Sequence, residues 1–465
     1  MNYKLREYQE ECVQKGIEIL TSSKTTASLI VAPTGSGKSL IISELAKRLN
    51  SLTVVLQPSK ELLEQNYAKY ISYGLEASIY SASLGKKELD KQVIFATIGS
   101  IIKDAKILRE KGLKYVIVDE AHRGSKKGSQ LDKFKKETGV KNMLGLSATP
   151  VVLSNSISGS TLKMQNKDYT NIFKSIGHVV QIQEMTEKGF WTPLEYKQVS
   201  MDLSNLRLNS IGTEFTTESV TKNYIDNNLD KVIKDTVSEL EKNNIKSILV
   251  FCPSVKEAVE LQLKIKGSQV VYGDMNNTDR DRILEDFKQE KFNVLINCQM
   301  LQIGYDNPNL EAVIMATPTN SVALYYQILG RVIRIKDGKE KAQVIDLVGN
   351  VDRFGRIEDF TFEDQEYTKG WAMFSGEKVL TNFPLGSKIY PTRKSLKGKL
   401  IHEKTKIATK FYFGKYKNQL LWDVYKKDKG YLIWLINNKE FTWFGVSGEN
   451  LKKEIYNILS LEQPN

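Results

Sequence analysis

Apolar positions in this chain come in short unbroken runs, and the stretches between them are amphipathic. "ASLIVAP", "LTVVLQP", "QVIFAT", "KYVIVDE" and "NMLGLSAT" are too short for helices and too uniformly apolar for strands with one wet face. Each reads as a strand covered on both sides. Segments such as "SLIISELAKRL" between them carry the helical period. Strands alternating with helices predict a parallel sheet packed between helices. A second series of the same plan starts near Asn228, from the helix "DKVIKDTVSELEKN" through the strands "SILVFCP", "SQVVYG", "FNVLINC" and "EAVIMA" to the helix "VALYYQILGRVIR". The expected fold class is therefore α/β, with two parallel-sheet domains in tandem and a small C-terminal accessory domain.

Between the series, residues 151–225 are rich in Ser, Asn and Thr, a composition suited to a connector or flexible insertion. The expected boundaries are 1–200 for the first domain, 201–225 for a connector, 226–350 for the second domain and 351–465 for the accessory domain.

Composition narrows the function classes. A chain of 465 residues with 41% hydrophobic and 26% charged residues is expected to fold into two or three soluble domains. The formal charge of +12 points to an anionic partner, nucleic acid or membrane surface. "MNYKLREYQEE" lacks the apolar centre of a signal peptide, and no run approaches a bilayer span, so a cytoplasmic location is expected, in a bacterial or phage-infected cell. Cys12, Cys252 and Cys298 have no metal-ligand spacing, and three histidines are too few for a His-rich metal centre.

The chemistry concentrates at strand ends. "APTGSGKS", Ala32 to Ser39, lies between a predicted strand and a predicted helix, the context that a phosphate-binding loop requires. Backbone N–H groups of Thr34, Gly35, Ser36 and Gly37 would surround phosphate oxygens, Lys38 would reach the outer phosphates, and the Ser39 hydroxyl would bind Mg²⁺. The alternative is a glycine-rich turn with a chance lysine. "YVIVDEAHRG" runs a buried strand directly into Asp119 and Glu120. Carboxylates there are costly without cationic compensation. Nucleotide-bound Mg²⁺ on Asp119 would provide it, while Glu120 would deprotonate the attacking water.

The series "REYQ", "APTGSGKS", "DEAH", "SAT" and "QILGRVIR" resembles the motifs of superfamily 2 helicases, in the DEAH-bearing branch that includes RecG, XPB, restriction-motor subunits and UvsW-like proteins. The likeness covers about residues 1 to 350. It implies two RecA-like domains, ATP and Mg²⁺ as cofactors, and hydrolysis coupled to movement on nucleic acid. By the same resemblance, Arg6, Tyr8 and Gln9 would recognise adenine. His122, Ser147 and Thr149 would connect nucleotide state to the neighbouring domain.

In the second series, Gln327, Gly330, Arg331 and Arg334 fit the sixth helicase motif, and both arginines would serve as fingers from one helix face. Gly304 and Asp306 resemble the fifth motif. Cys298 stands where threonine is common, which weakens a phosphate contact there. Pro58, Ser59, Thr97, Gly99 and Ser100 on the first domain, with Pro253 and Ser254 on the second, resemble strand-contacting loops. Such hydroxyls and amides would hold phosphates without reading bases.

The tail carries twelve Lys or Arg against two acids from Gly386 to Lys427, interleaved with Tyr390, Phe411, Tyr412, Phe413, Tyr416, Trp422 and Tyr425. It would either bind DNA or form a small domain with an aromatic core and solvated lysines. "FYFGKYKNQLLWDVYKKDKGYLIWLI" resembles a C-terminal module of exonuclease X relatives. The expected function is an ATP-dependent DNA helicase or translocase acting on forks or Holliday junctions in recombination, repair or replication. An RNA-dependent ATPase, a restriction motor subunit and a non-catalytic binding module are the rivals.

Overall fold

The computed structural model describes residues 3–24, 27–156, 159–210, 214–298, 307–381, 391–397, 410–411, 414–437, 451–452 and 454–455. Gly304, Asp306, Tyr390, Tyr412, Phe413 and the Trp422 side chain lie outside them. Residues Met1–Glu363 and Trp371–Tyr390 form one compact unit, and Asp364–Gly370 with Pro391–Asn465 form another.

The first sheet uses β1 (Ala27–Val31), β2 (Thr53–Gln57), β3 (Ser78–Ser81), β4 (Lys86–Lys87), β5 (Val93–Thr97), β6 (Tyr115–Val118) and β7 (Met143–Ser147). A hairpin of β8 (Val151–Ser156) and β9 (Gly159–Met164) follows, and then β10 (Ser175–Val179). The sheet order is β10-β1-β7-β6-β2-β5-β3-β4, parallel except where β4 turns back on β3. All five residues of β1, β2 and β7 are buried, as the apolar runs require of strands covered on both faces. Crossover helices such as Lys38–Leu49 and Lys60–Ile71 do the covering.

This order places the carboxyl ends of β1, β7, β6 and β2 side by side. The phosphate loop, "SAT", "DEAH" and "QPSK" segments all leave from that edge, where open parallel sheets bind ligands.

The second sheet joins β11 (Leu194–Gln198), β12 (Ile248–Phe251), β13 (Gln269–Tyr272), β14 (Val294–Cys298), β15 (Ala312–Met315) and β16 (Ala342–Asp346), all parallel, in the order β11-β16-β15-β12-β14-β13. The chain thus has the two parallel α/β sheets of a RecA-like tandem.

The boundaries differ from those expected at two places. The Ser/Asn/Thr-rich stretch is not a simple connector, because β10 extends the first sheet and β11 the second. Composition hid both strands since each is an edge strand with no fully buried residue. The first domain therefore ends before Leu194 rather than at 200. Residues 351–363 and 371–380 belong with the two sheets rather than with the tail: Val351, Phe354, Ile357, Phe360, Phe362, Met373 and Leu380 join their main apolar core.

The second unit has its own core of Phe411, Tyr416, Leu421, Val424, Leu432, Leu435, Leu451 and Ile455 around helices Leu421–Lys427 and Lys429–Asn437. Of the tail aromatics, Phe411 and Tyr416 are core residues, and Tyr425 packs partly against them. Trp434 is 58% exposed.

Candidate ATP-hydrolysis site

The phosphate loop is shaped by two glycines. Gly35 and Gly37 both have φ of +78°, a left-handed backbone that side chains rarely adopt, and Gly37 sits at the start of helix Lys38–Leu49. The helix N-terminus and loop amides make this turn an anion site. Tyr8 Oη donates to the Ser36 carbonyl at 3.0 Å and Gln9 Nε2 donates to it at 2.8 Å. Gln9 Oε1 in turn accepts from the Arg6 amide at 2.9 Å. The Gln9 amide therefore holds the loop, and a Cβ on Gly37 would come within 2.6 Å of its nitrogen.

Lys38 Nζ lies 3.3 Å from Glu120 Oε1. Asp119, 5% exposed, accepts from Asn66 Nδ2 and from the Glu120 amide, both at 2.9 Å. Burial and the adjacent Glu120 charge push Asp119 up to about 6. Burial also raises Glu120, but Lys38 and then His122 outweigh it and hold the carboxyl below its ordinary range. Glu120 has φ of +46°, a conformation that costs a non-glycine residue roughly 1–3 kcal/mol. A buried carboxylate and a half-buried one beside it face one lysine, a donor set that fits a divalent cation held by Asp119 and Ser39.

A relay leaves Glu120 towards the second domain. His122 Nδ1 lies 3.4 Å from Glu120 Oε2 and 3.0 Å from Ser147 Oγ, which accepts from the Thr149 amide at 3.2 Å. The other ring nitrogen faces Gln327 Nε2 at 3.5 Å. Burial lowers the His122 pKa, and the contacts assign the neutral ring a proton on Nδ1. Gln327, Arg331 and Arg334 line the cavity that also contains Thr34, Gly35, Gly37, Lys38, Ser39, Asp119 and Glu120. Arg334 is not on the helix face expected for it, because helix Val322–Val332 has ended. Thr192 and Lys339 replace the lost helical partners: Thr192 donates to the Ile333 and Arg334 carbonyls at 2.9 and 2.8 Å, and Lys339 Nζ donates to Val332 and Arg334 at 2.7 and 2.9 Å.

Two family models match the chain on either side of this cavity. One, described as the res subunit of type III restriction enzymes, matches residues 2–152, and the other, the helicase conserved C-terminal domain, matches residues 229–336. The chain carries the paired domains of the superfamily 2 helicases. IRC3 of Saccharomyces cerevisiae, which bears the name of an ATP-dependent helicase, is 23% identical over 364 residues, 74% of this helicase and 51% of IRC3. A 51.5 kDa protein of a Lactococcus phage is 26% identical over 359 residues, 75% of this chain and 72% of its own. The ATP-dependent DNA helicase RecG of Aquifex aeolicus is 24% identical over 361 residues, 71% of this chain and 40% of RecG. This helicase thus spans about half the length of IRC3 and less of RecG. Among solved structures, the type ISP restriction-modification enzyme LlaBIII bound to DNA shares the fold at a TM-score of 0.56 and 15% identity, over 75% of this chain and 28% of that one. DEAD-box helicase Mss116 bound to single-stranded RNA shares it at 0.50 and 18%, over 74% and 70%.

Sequence reasoning missed the clamp that joins the helicase's two domains. Trp191 Nε1 donates to the Thr34 carbonyl at 3.0 Å, the Thr34 amide donates to Tyr326 Oη at 3.3 Å, and a Cβ on Gly330 would meet Thr34 Cγ2 at 2.6 Å. Beside it, the Arg6 guanidinium stacks 3.8 Å from the Phe190 ring centroid. Both residues line a cavity of about 200 Å³ with Trp191, Ile333 and Arg334, so Arg6 reaches a base-sized space while Tyr8 and Gln9 stay beneath the phosphate loop. "GFWTP" carried one signal, two aromatics in a Gly/Pro-flanked segment.

The strand-contact candidates take matching places in both domains. Ser59 and Ser254 cap the helices after β2 and β12 with nearly the same backbone, φ/ψ of −142/164° and −139/166°. Pro58 and Pro253 precede them. Thr97 Oγ1 and Ser100 Oγ lie 2.9 Å apart across the Gly99 turn. Among the described residues no helix is long and apolar enough to cross a membrane.

Proposed function

We propose that the chain is an ATP-driven DNA helicase or translocase of the DEAH-bearing branch, acting on branched DNA such as forks or four-way junctions in recombination or repair. The observation that carries this reading is the relay from Glu120 through His122 to Gln327, because it ties the water-activating carboxylate to the helix that carries Arg331. A change at one domain's nucleotide contacts then alters the other domain's position, which a motor requires and a passive binder does not.

In this reading Lys38 and the loop amides bind the β- and γ-phosphates, and Glu120, kept ionised by Lys38, accepts the proton of the attacking water. Arg331 and Arg334 counter the charge that develops on the transferred phosphoryl group. Ser39 and Asp119 would hold Mg²⁺, which when bound neutralises phosphate charge. The capped helix ends at Ser59 and Ser254, with the Thr97–Ser100 turn, would contact the backbone of the strand, while Gly304 and Asp306 would contribute to nucleotide binding. The basic 391–465 unit would add DNA affinity; truncation after Tyr390 should weaken DNA binding and leave unstimulated hydrolysis in place.

The reading is tested by steady-state ATP hydrolysis at fixed moderate salt with single-stranded DNA, duplex DNA, a fork, a four-way junction and a matched RNA. Stimulation greatest with fork or junction DNA supports it. Stimulation greatest with RNA replaces the substrate and keeps the motor.

A further inference from the structure

A second cavity of about 410 Å³ lies beyond the catalytic carboxylates, and Asp119 and Glu120 form part of its wall. Its other walls are mainly apolar, from Leu56, Ile98, Val118 and Leu131. Gln57, at the end of β2, lines it while only 2% exposed, and neither amide atom has a hydrogen-bond partner among the described residues. A buried amide without partners is costly, and proteins rarely retain one without a use.

We propose that this cavity receives one nucleobase of the bound strand, with the Gln57 amide hydrogen-bonded to the base edge; this rests on the nucleic-acid-motor reading above. The amide presents one acceptor and two donors, the complement of the adjacent donor and acceptor on a base edge. Apolar walls suit a flat neutral ring, and the volume lies within the range of small-molecule pockets. A phosphate is the wrong occupant, since the two carboxylates of the wall would repel it. A base that arrives on a strand has a route: Gln57 pairs in register with Thr97, the first residue of the Thr97–Ser100 turn, and Pro58 begins the Ser59-capped segment. Arg123 on the same wall offers a guanidinium to the incoming backbone. An occupant here touches the wall that carries Glu120, so base capture would report strand engagement directly to the hydrolytic residue.

The test compares the affinity of the full chain for a single-stranded oligonucleotide and for an abasic strand of the same length and charge. Wild type should bind the intact strand about tenfold more tightly, the scale of one bidentate base contact. Gln57→Leu, which keeps the size and removes the amide, should reduce that preference several-fold while leaving abasic affinity and unstimulated hydrolysis unchanged. Gln130→Trp, which narrows the cavity from a wall residue given no role in hydrolysis or backbone contact, should do the same, so a folding defect in one variant is recognised by the other. Equal wild-type affinity for intact and abasic strands, or an undiminished preference in both variants, would make this a water-filled cavity only and leave the motor reading standing. Absence of any strand binding or stimulated hydrolysis would overturn both.

Discussion

Gln327 Nε2 and His122 Nε2 face each other at 3.5 Å across the two domains, and the far side of the same imidazole faces Glu120. Gln327→Ala removes the contact without touching the phosphate loop. Nucleic-acid-stimulated turnover should fall about tenfold, the worth of roughly one hydrogen bond, while ATP affinity stays within about twofold. Stopped-flow nucleotide binding alongside steady-state turnover separates the two; an equal loss in both would place Gln327 in simple ATP binding.

Gly330 and Thr34 meet so closely that a methyl group has no room. Gly330→Ala should hold the domains apart and depress turnover, with an overpacking cost of about 1–3 kcal/mol. Thr34→Ala removes the Cγ2 and Oγ1 that the new Cβ would strike. The double variant should therefore recover turnover relative to Gly330→Ala alone, and a purely additive loss would show that the contact does not limit closure.

Trp191 is 3% exposed and donates to the phosphate loop. Trp191→Phe keeps most of the packing and loses the donor, so KM for ATP should rise several-fold with a small change in Tm. Trp191→Ala also opens a cavity and should cost about 3–5 kcal/mol of stability by denaturant titration. A normal KM in the Phe variant would confine Trp191 to packing.

Asp119 is pushed up to about 6 by burial and by Glu120. The folded chain then holds a proton between about pH 4 and 6 that the unfolded chain has released, so this group favours the fold at the acid end and loses that contribution as pH rises through 6. Protonation also removes the proposed Mg²⁺ ligand. Affinity for Mg²⁺–nucleotide should weaken as pH falls below about 6 while the fold persists; constant affinity from pH 7.5 to 5 would argue against Asp119 as the ligand.

Much of the nucleotide site was legible because its residues are contiguous and its motifs sit at predictable strand ends: the loop at 32–39, Asp119 and Glu120 after β6, Ser147 and Thr149 at β7. What escaped was long-range. Asn66, Trp191 and Tyr326 act on residues 53, 157 and 292 positions away, and nothing local distinguishes them from core residues. Gln9 shows a subtler limit, since its amide also makes two backbone hydrogen bonds that its suitability for a base edge did not announce. Edge strands β10 and β11 were hidden because partial exposure allows polar residues that read as a linker. Arg334 was placed on a helix that its periodicity continues, although the helix ends at Val332 and Thr192 and Lys339 take over the carbonyls of residues 332 to 334.

The most direct test of the motor is ATP turnover at saturating fork DNA by wild type and by Glu120→Gln. The wild type should be stimulated well above its rate without nucleic acid, and the variant should bind ATP and DNA normally while turning over about 10²–10⁴-fold more slowly, as expected on loss of a general base. Undiminished hydrolysis by Glu120→Gln, or a wild-type rate indifferent to every nucleic acid, would contradict the account.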